Sequence, residues 1–172
     1  SGNGFARFFG IPTTIKKAIQ VIADGKELVI DSILCNDEYF VNVAGIGFDA
    51  QVGNIYDKSC ADERGGLNYV KMVVEEYLHY PQQTGKFKIN GEEVEKQFFM
   101  VTVANSNQWG LNAKVAPEAD IADGKFELVL LKELPVIDAI PLAIRLFSNQ
   151  FNHSRHVETY HLEEFTIENS IP

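Results

Sequence analysis

Residues 86–104 read Lys-Phe-Lys-Ile-Asn-Gly-Glu-Glu-Val-Glu-Lys-Gln-Phe-Phe-Met-Val-Thr-Val-Ala. Lys86 to Asn90 alternates polar and apolar side chains, the period of a strand with one buried face. Asn90-Gly91 is the dipeptide that a two-residue hairpin turn favours, because both positions need positive φ. A second strand follows from about Glu95 to Ala104. Its apolar centre, Phe98 to Val103, is nearly continuous, which points to burial on both faces.

Other short strands flank this hairpin. Glu27 to Cys35 reads as a strand with Asp31 embedded in it, and an Asn-Asp-Glu turn at 36–38 reverses the chain into Tyr39 to Ala44. Gly45-Ile46-Gly47 then delivers Phe48, Asp49 and Ala50 to an exposed corner. Residues 53–66 are polar, hold three glycines and read as a mobile loop. Helical spacing predicts a helix over Ile15 to Ile22, capped by Thr13 or Thr14 and stopped by Gly25. A second helix is predicted over Leu67 to Tyr80, closed by Pro81. Asn105 to Pro117 is a long loop around the single Trp109, and Asp120 to Gly124 is a carboxylate-rich turn into a strand at Phe126 to Lys132. Pro135 to Phe147 has helical spacing, with Asp138 as its cap and Pro141 in its first turn. A last strand runs from Val157 to Glu168. Frequent hairpins and helices that do not alternate with strands fit a mainly β (α+β) fold, an antiparallel β-sandwich with added helices, and not a doubly wound α/β fold.

At 172 residues the chain is expected to form one domain, long enough to bury about 70% of its unfolded surface. A net charge of −9 leaves no basic stripe to neutralise phosphates, so no nucleic-acid partner is expected. Cys35 and Cys60 are too few for a disulfide scaffold and read as reduced, buried thiols of a cytoplasmic protein. No membrane span or signal peptide is visible in the sequence. His153, His156 and His161 fit no zinc spacing and read as solvated loop histidines.

The first twelve residues, Ser-Gly-Asn-Gly-Phe-Ala-Arg-Phe-Phe-Gly-Ile-Pro, carry the functional reading. Gly2 and Gly4 tolerate positive φ and uncover backbone N–H groups that suit an anion. Asn3 adds a donor and an acceptor to the same turn. Read without further context, the pair of glycines is a helix-leading turn. The chain starts inside this loop with no initiator Met, and is read as a fragment.

Ser1-Gly2-Asn3-Gly4-Phe5-Ala6-Arg7 resembles the Gly-Thr-Gly-Asn-Asp-Phe-Ala-Arg motif of diacylglycerol kinase and sphingosine kinase-like lipid kinases. Ile30-Asp31, the run Phe40 to Ala50 and the run Ala116 to Phe126 are similar to later landmarks of the same family, in the same order. The resemblance covers nearly the whole chain. It implies the second, β-sandwich domain of a two-domain kinase, with the N-terminal nucleotide-binding domain and its Gly-Gly-Asp-Gly-Thr loop absent. It also implies ATP and Mg²⁺ as cofactors and a lipid hydroxyl as acceptor, of a diacylglycerol, a sphingoid base or a related lipid.

By resemblance, Ser1, Gly2 and Asn3 approach the nucleotide, and Gly4 departs from the family's Asp, which leaves the lipid class open. Asp31 is the candidate base or substrate-orienting group; the alternative is a solvent-facing strand position. Asp49 is the candidate contact to lipid headgroup or hydroxyl; the alternative is a helix N-cap. Asp123, with the main-chain carbonyls of Asp120 and Lys125, is the candidate Mg²⁺ site; the alternative is an Asp-Gly hairpin turn. Partners implied are the lipid, the nucleotide, the absent N-terminal domain, the periphery of a membrane and a second copy in a homodimer. The fragment alone is expected to be inactive. A non-catalytic β-sandwich that binds lipid or sugar, and a relative of NAD kinase, are the competing readings.

Overall fold

The computed structural model describes residues 3–58 and 66–169. In chain order the elements are α1 (Gly4–Phe8), α2 (Ile15–Ala23), β1 (Ile33–Cys35), β2 (Glu38–Phe40), β3 (Val43–Gly47), α3 (Phe48–Lys58) and α4 (Gly66–His79). Then come β4 (Gln83–Ile89), β5 (Glu92–Phe98), β6 (Met100–Ala104), β7 (Phe126–Leu131), α5 (Val136–Phe147), β8 (Val157–Leu162) and β9 (Phe165–Asn169). A four-stranded sheet runs in the order β3-β6-β7-β8, a three-stranded sheet in the order β5-β4-β9, and β1 and β2 form a separate hairpin. Every pairing is antiparallel.

All five residues of β6 and all six of β7 are buried. Because side chains alternate across a sheet, burial of every residue requires a covering layer on each face. On one face Val101, Val103, Leu128 and Leu130 meet Phe87, Ile89 and Phe98 of the three-stranded sheet. On the other, Met100, Ala104, Val129 and Leu131 meet Phe48, Tyr77, Leu142 and Phe151 from the helical side. The result is three layers: helices, four strands, three strands.

Several sequence expectations need correction. The strand expected from Glu95 to Ala104 changes sheets at Phe99, so β5 and β6 belong to different layers. The last strand divides likewise around Glu163 and Glu164. Both breaks follow from a chain that must leave one sheet to supply the other, which an unbroken apolar run conceals. Of the strand expected at Glu27 to Cys35, only Ile33–Cys35 pairs; Val29 is 94% exposed, so its β-branched side chain had no layer to join. Of the loop expected at 53–66, the first residues continue α3 to Lys58, and 59–65 lie outside the described residues. Pro141 lies inside α5, not in its first turn, and Asp138 occupies that first turn while Pro135 stands at the N-cap. Cys35 is exposed, and Cys60 lies outside the described residues.

The turn expectations hold. Asn90 and Gly91 have φ of 52° and 82° between β4 and β5, and Gly25 ends α2 at φ 62°.

Phe98 is fully buried and meets Phe87 edge to face at 5.7 Å between ring centroids. Phe98→Ala should therefore remove about 3–5 kcal/mol of stability, read as a lower urea midpoint at constant slope.

Candidate functional site

Asp49 sits in the first turn of α3, where the helix folds back over β3. Its Oδ1 accepts the Ala50 N–H at 2.8 Å, and its Oδ2 accepts the Thr102 hydroxyl at 3.2 Å. A Cβ built on Gly45 would lie 1.9 Å from this carboxylate, so glycine at 45 makes room for it. Gly45 and Thr102 are paired across β3 and β6, which explains why both touch the same side chain. The residue before it, Phe48, belongs to an aromatic cluster: Phe48 packs on Phe99 at 4.6 Å, and Tyr77 and Tyr80 meet Phe99 at 5.2 and 5.5 Å. Burial pushes the Asp49 carboxyl up to about 7, against the lowering effect of its hydrogen bonds. Burial, and then the Asp49 charge, also push the Tyr80 phenol up. A carboxyl in this state exchanges a proton near neutral pH and presents a polar contact at the head of an apolar layer.

A second polar group gathers where β6 leaves the sheet. Asn105 is fully buried and donates from Nδ2 to the carbonyls of Asp31 and Val41 at 2.9 and 3.0 Å. Its Oδ1 is buried with no partner among the described residues. Ser106, also fully buried, donates to Asn42 Oδ1. Asp31 lies outside any strand: its N–H donates to the Ile121 carbonyl at 2.8 Å, and its Oδ2 accepts the Gly124 N–H at 2.7 Å. The Asp31 carboxylate is therefore fixed against the Asp120–Gly124 turn. Asn42 of this group and Gly45 beside Asp49 are three positions apart along the chain, roughly 10 Å in extended backbone.

The turn itself is built from carboxylate bonds to backbone. Asp120 Oδ1 accepts Ala122 N–H at 3.1 Å, and Asp123 Oδ1 accepts Lys125 N–H at 2.9 Å. Asp123 Oδ2 faces His161 Nε2 at 3.3 Å, and His161 Nδ1 lies 2.9 Å from the buried Glu127, its direct cross-strand neighbour. His156 is paired with Asp138 at 3.0 Å. These two histidines are held by carboxylates, contrary to the expectation of solvated loop residues. Among the described residues no three His, Cys, Asp or Glu side chains form a metal cage. The oxygen donors of the turn are those a hard cation takes, so carbonyls and water would supply most of its ligands.

Of the N-terminal loop, Ser1 and Gly2 lie outside the described residues. Asn3, at φ 51°, forms an antiparallel bridge with Gly110. A Cβ on Gly4 would fall 2.5 Å from the Trp109 carbonyl, so only glycine permits this approach. Asn3, Asp31 and the turn thus converge on one connection, residues 105–125 between β6 and β7, while Asp49 lies on the helical face. Sequence reasoning missed Thr102, Asn105, Ser106 and the Asn3–Gly110 contact. Two signals were present: a threonine inside an otherwise apolar strand, and the polar run Asn105 to Gln108 directly after it.

Residues 42–171 match the family model of the YegS C-terminal NAD kinase beta sandwich-like domain. A Shewanella frigidimarina protein named "Probable lipid kinase YegS-like" is 28% identical over 166 residues, covering 95% of this chain and 53% of that protein. The diacylglycerol kinase of Bacillus subtilis is 26% identical over 156 residues, covering 90% of this chain and 52% of its own length. The chain thus spans about half the length of these relatives. A crystal structure of a diacylglycerol kinase from Bacillus anthracis superposes with a TM-score of 0.72 at 19% identity, covering 99% of this chain and 55% of that one.

The raised Asp49 carboxyl fixes the sign of a pH effect. Between the unfolded value of 3.8 and about 7 the folded state holds the extra proton, so this group's contribution to stability falls as pH rises through that window. Asp49→Asn lacks the slope: relative to the parent, its melting temperature should rise between about pH 4 and pH 8. A constant difference across that range would mean that Asp49 titrates normally.

Proposed function

The chain belongs to the YegS C-terminal NAD kinase beta sandwich-like family, and from that premise we propose that it is the acceptor-binding half of an ATP-dependent lipid kinase. The observation that carries the reading is Asp49: a half-buried carboxyl, raised to about 7, next to Tyr80 and directly after Phe48, whose ring packs with Tyr77, Tyr80 and Phe99. A polar anchor at the head of an apolar layer suits a lipid that ends in a hydroxyl, of a diacylglycerol or a related lipid. In the reaction the acceptor oxygen bonds to the γ-phosphorus of ATP while the bond to the bridging β,γ-oxygen breaks. Asp49 accepts the hydrogen bond of the attacking hydroxyl, orients it, and takes its proton as the new P–O bond forms. Thr102 and the Ala50 N–H hold the carboxylate in place for that task.

Asp31 enters as a positioning residue. Its bond to Gly124 N–H ties the Asp120–Lys125 turn to the end of β6, and Asn105 ties Asp31 to the sheet. The turn would hold Mg²⁺ through Asp123 and the carbonyls of Asp120 and Lys125, neutralising negative charge at that end. Ser1, Gly2 and Asn3 would lie along the nucleotide, with Asn3 set by its bridge to Gly110. The Gly-Gly-Asp-Gly-Thr domain of the resemblance would supply the opposite wall.

The test is phosphoryl transfer from ATP to a panel of lipids by the full-length protein encoded by the gene. Asp49→Ala should lower kcat/KM for the lipid about 10²-fold or more and leave the KM for ATP nearly unchanged. Transfer that survives this change at the parental rate sinks the reading. Gly4→Ala should do the reverse, raising the KM for ATP by pushing Asn3 away from Gly110. Asp31→Asn should weaken the Mg²⁺-dependent rise in melting temperature along with kcat; loss of kcat with an intact Mg²⁺ response would make Asp31 the base instead.

A further inference from the structure

Three charged side chains stand on the inner faces of the sandwich, where the neighbouring positions are apolar. Glu158 of β8 lies directly opposite Leu130 of β7 and so shares its face. Lys132 is two residues past Leu130, and its N–H donates to the His156 carbonyl at 2.9 Å, so it extends the same face. From the other sheet, Lys96 of β5 stands two residues before the fully buried Phe98. Phe98 and Leu130 belong to the core between the sheets, and the three charged residues close its rim.

Their contacts are short. Lys96 Nζ donates to Glu158 Oε2 at 2.8 Å, and Lys132 Nζ lies 2.6 Å from Glu158 Oε1. The Tyr160 hydroxyl also donates to Oε2 at 2.8 Å, and Lys96 Nζ lies 5.4 Å from the centre of that ring. Hydrogen bonds from Lys132 and then Lys96 hold the Glu158 carboxyl down to about 2. Desolvation by itself would lower the Lys96 ammonium, but its bonds to Glu158 and Tyr160 outweigh that and push it up. Two lysines against one glutamate leave a surplus positive charge, in a chain whose net charge is −9. Inward charges on β5 and β8, the outermost strands of their sheets, also discourage pairing with another sheet. One Lys–Glu pair meets that need. Lys132 follows the interior strand β7 and exceeds it.

Beside the cluster lies an open groove of about 400 Å³, lined by Gln82, Lys96, Gln97, Leu130, Lys132 and Glu158. An ammonium has three N–H donors, so neither lysine is exhausted by its bond to Glu158. The amides of Gln82 and Gln97 have no hydrogen-bond partner among the described residues. The groove thus offers more donors than acceptors, because the Glu158 oxygens already accept from three groups. We propose that it binds a phosphate group, free or as the monoester of a small organic molecule, between the ammonium groups of Lys96 and Lys132. Phosphate oxygens take the remaining lysine N–H groups and the amide N–H groups of Gln82 and Gln97, as charge-assisted bonds. Glu158 fixes both lysines in place for that contact. A phosphate ion fills only part of the groove, which leaves room for an organic body. The site shares no residue with the Asp49 group and goes beyond the kinase reading.

Amide NMR shifts of the full-length protein, titrated with inorganic phosphate and with phenyl phosphate, test this. Saturable shifts at Gln97 and Lys132 are expected, with a Kd of about 1 mM or below. Lys132→Gln, at a half-exposed position, should weaken binding about tenfold or more with an unchanged melting curve. Lys132→Arg keeps the charge and should bind within about threefold of the parent. Raising NaCl from about 0.05 to 0.5 M should weaken binding several-fold. Tighter binding of phenyl phosphate assigns the groove to an organic phosphomonoester; equal binding assigns it to the free ion. No saturation at these amides by about 20 mM of either probe overturns the proposal. So does a Lys132→Gln variant that binds like the parent, which would leave the cluster as a guard of two edge strands. Asp49→Asn should bind phosphate as the parent does, so loss of lipid phosphorylation in that variant tests the kinase reading and leaves this site untouched.

Discussion

The structure depends on one constraint: β6 and β7 have no side chain that water can reach. Two neighbouring strands buried on both faces cannot exist at the edge of a small domain or in a single exposed sheet. They demand an apolar layer above and another below. The chain meets the demand by sending β5 and β9 out of the four-stranded sheet into a second one, and by laying α3, α4 and α5 over the opposite face. Each fully buried Val, Leu or Phe in these strands contributes about 1.5–3 kcal/mol, which is why the pair can organise the rest.

Local signals were legible in the sequence where the chemistry is local. The Asn90-Gly91 turn, the alternation of Lys86 to Ile89, the stop at Gly25 and the sandwich class all follow from backbone preference and side-chain period. What the sequence concealed depends on partners far along the chain. Val29 has the side chain of a strand residue and no sheet to join. Phe98-Phe99-Met100 reads as one strand because its apolar run does not record that Phe98 faces one layer and Met100 another. The start of the polar run after residue 53 looks like a loop, yet α3 continues through it to Lys58.

The candidate site obeys the same logic. Asp31 was legible because a carboxylate among apolar neighbours costs free energy and asks for a reason; Asp49 was legible by the family resemblance, at what read as an exposed corner. Their division of labour was not. Asp31 satisfies its carboxylate on the Gly124 N–H, an ordinary structural solution. Asp49 accepts a hydroxyl and an N–H, but among the described residues no cation is paired with it, and desolvation outweighs those two bonds and raises its carboxyl. Of the two, the more desolvated group is the one better suited to meet a ligand. For Thr102, its partner, the signal was a lone hydroxyl in the apolar run Met-Val-Thr-Val-Ala, but because threonine favours strands that signal does not say whether the hydroxyl packs or orients a carboxylate.

The helical layer carries the larger consequence. Its inner face must be apolar to cover β6 and β7, and Phe48, Tyr77 and Tyr80 pack on Phe99 for that reason. An outer face in contact with water would be expected to be polar, as the solvent side of most surface helices is. On α5 it is not, at four positions spaced by three and four residues along one stripe: Ile137, Ile140, Ile144 and Phe147. Helix α2 shows the same feature: Ile15, Ile19 and Ile22 are exposed along one stripe, and no residue of that helix is buried. The core therefore explains the inner stripe of α5 and neither of the two outer ones, in a chain that spans about half the length of its relatives.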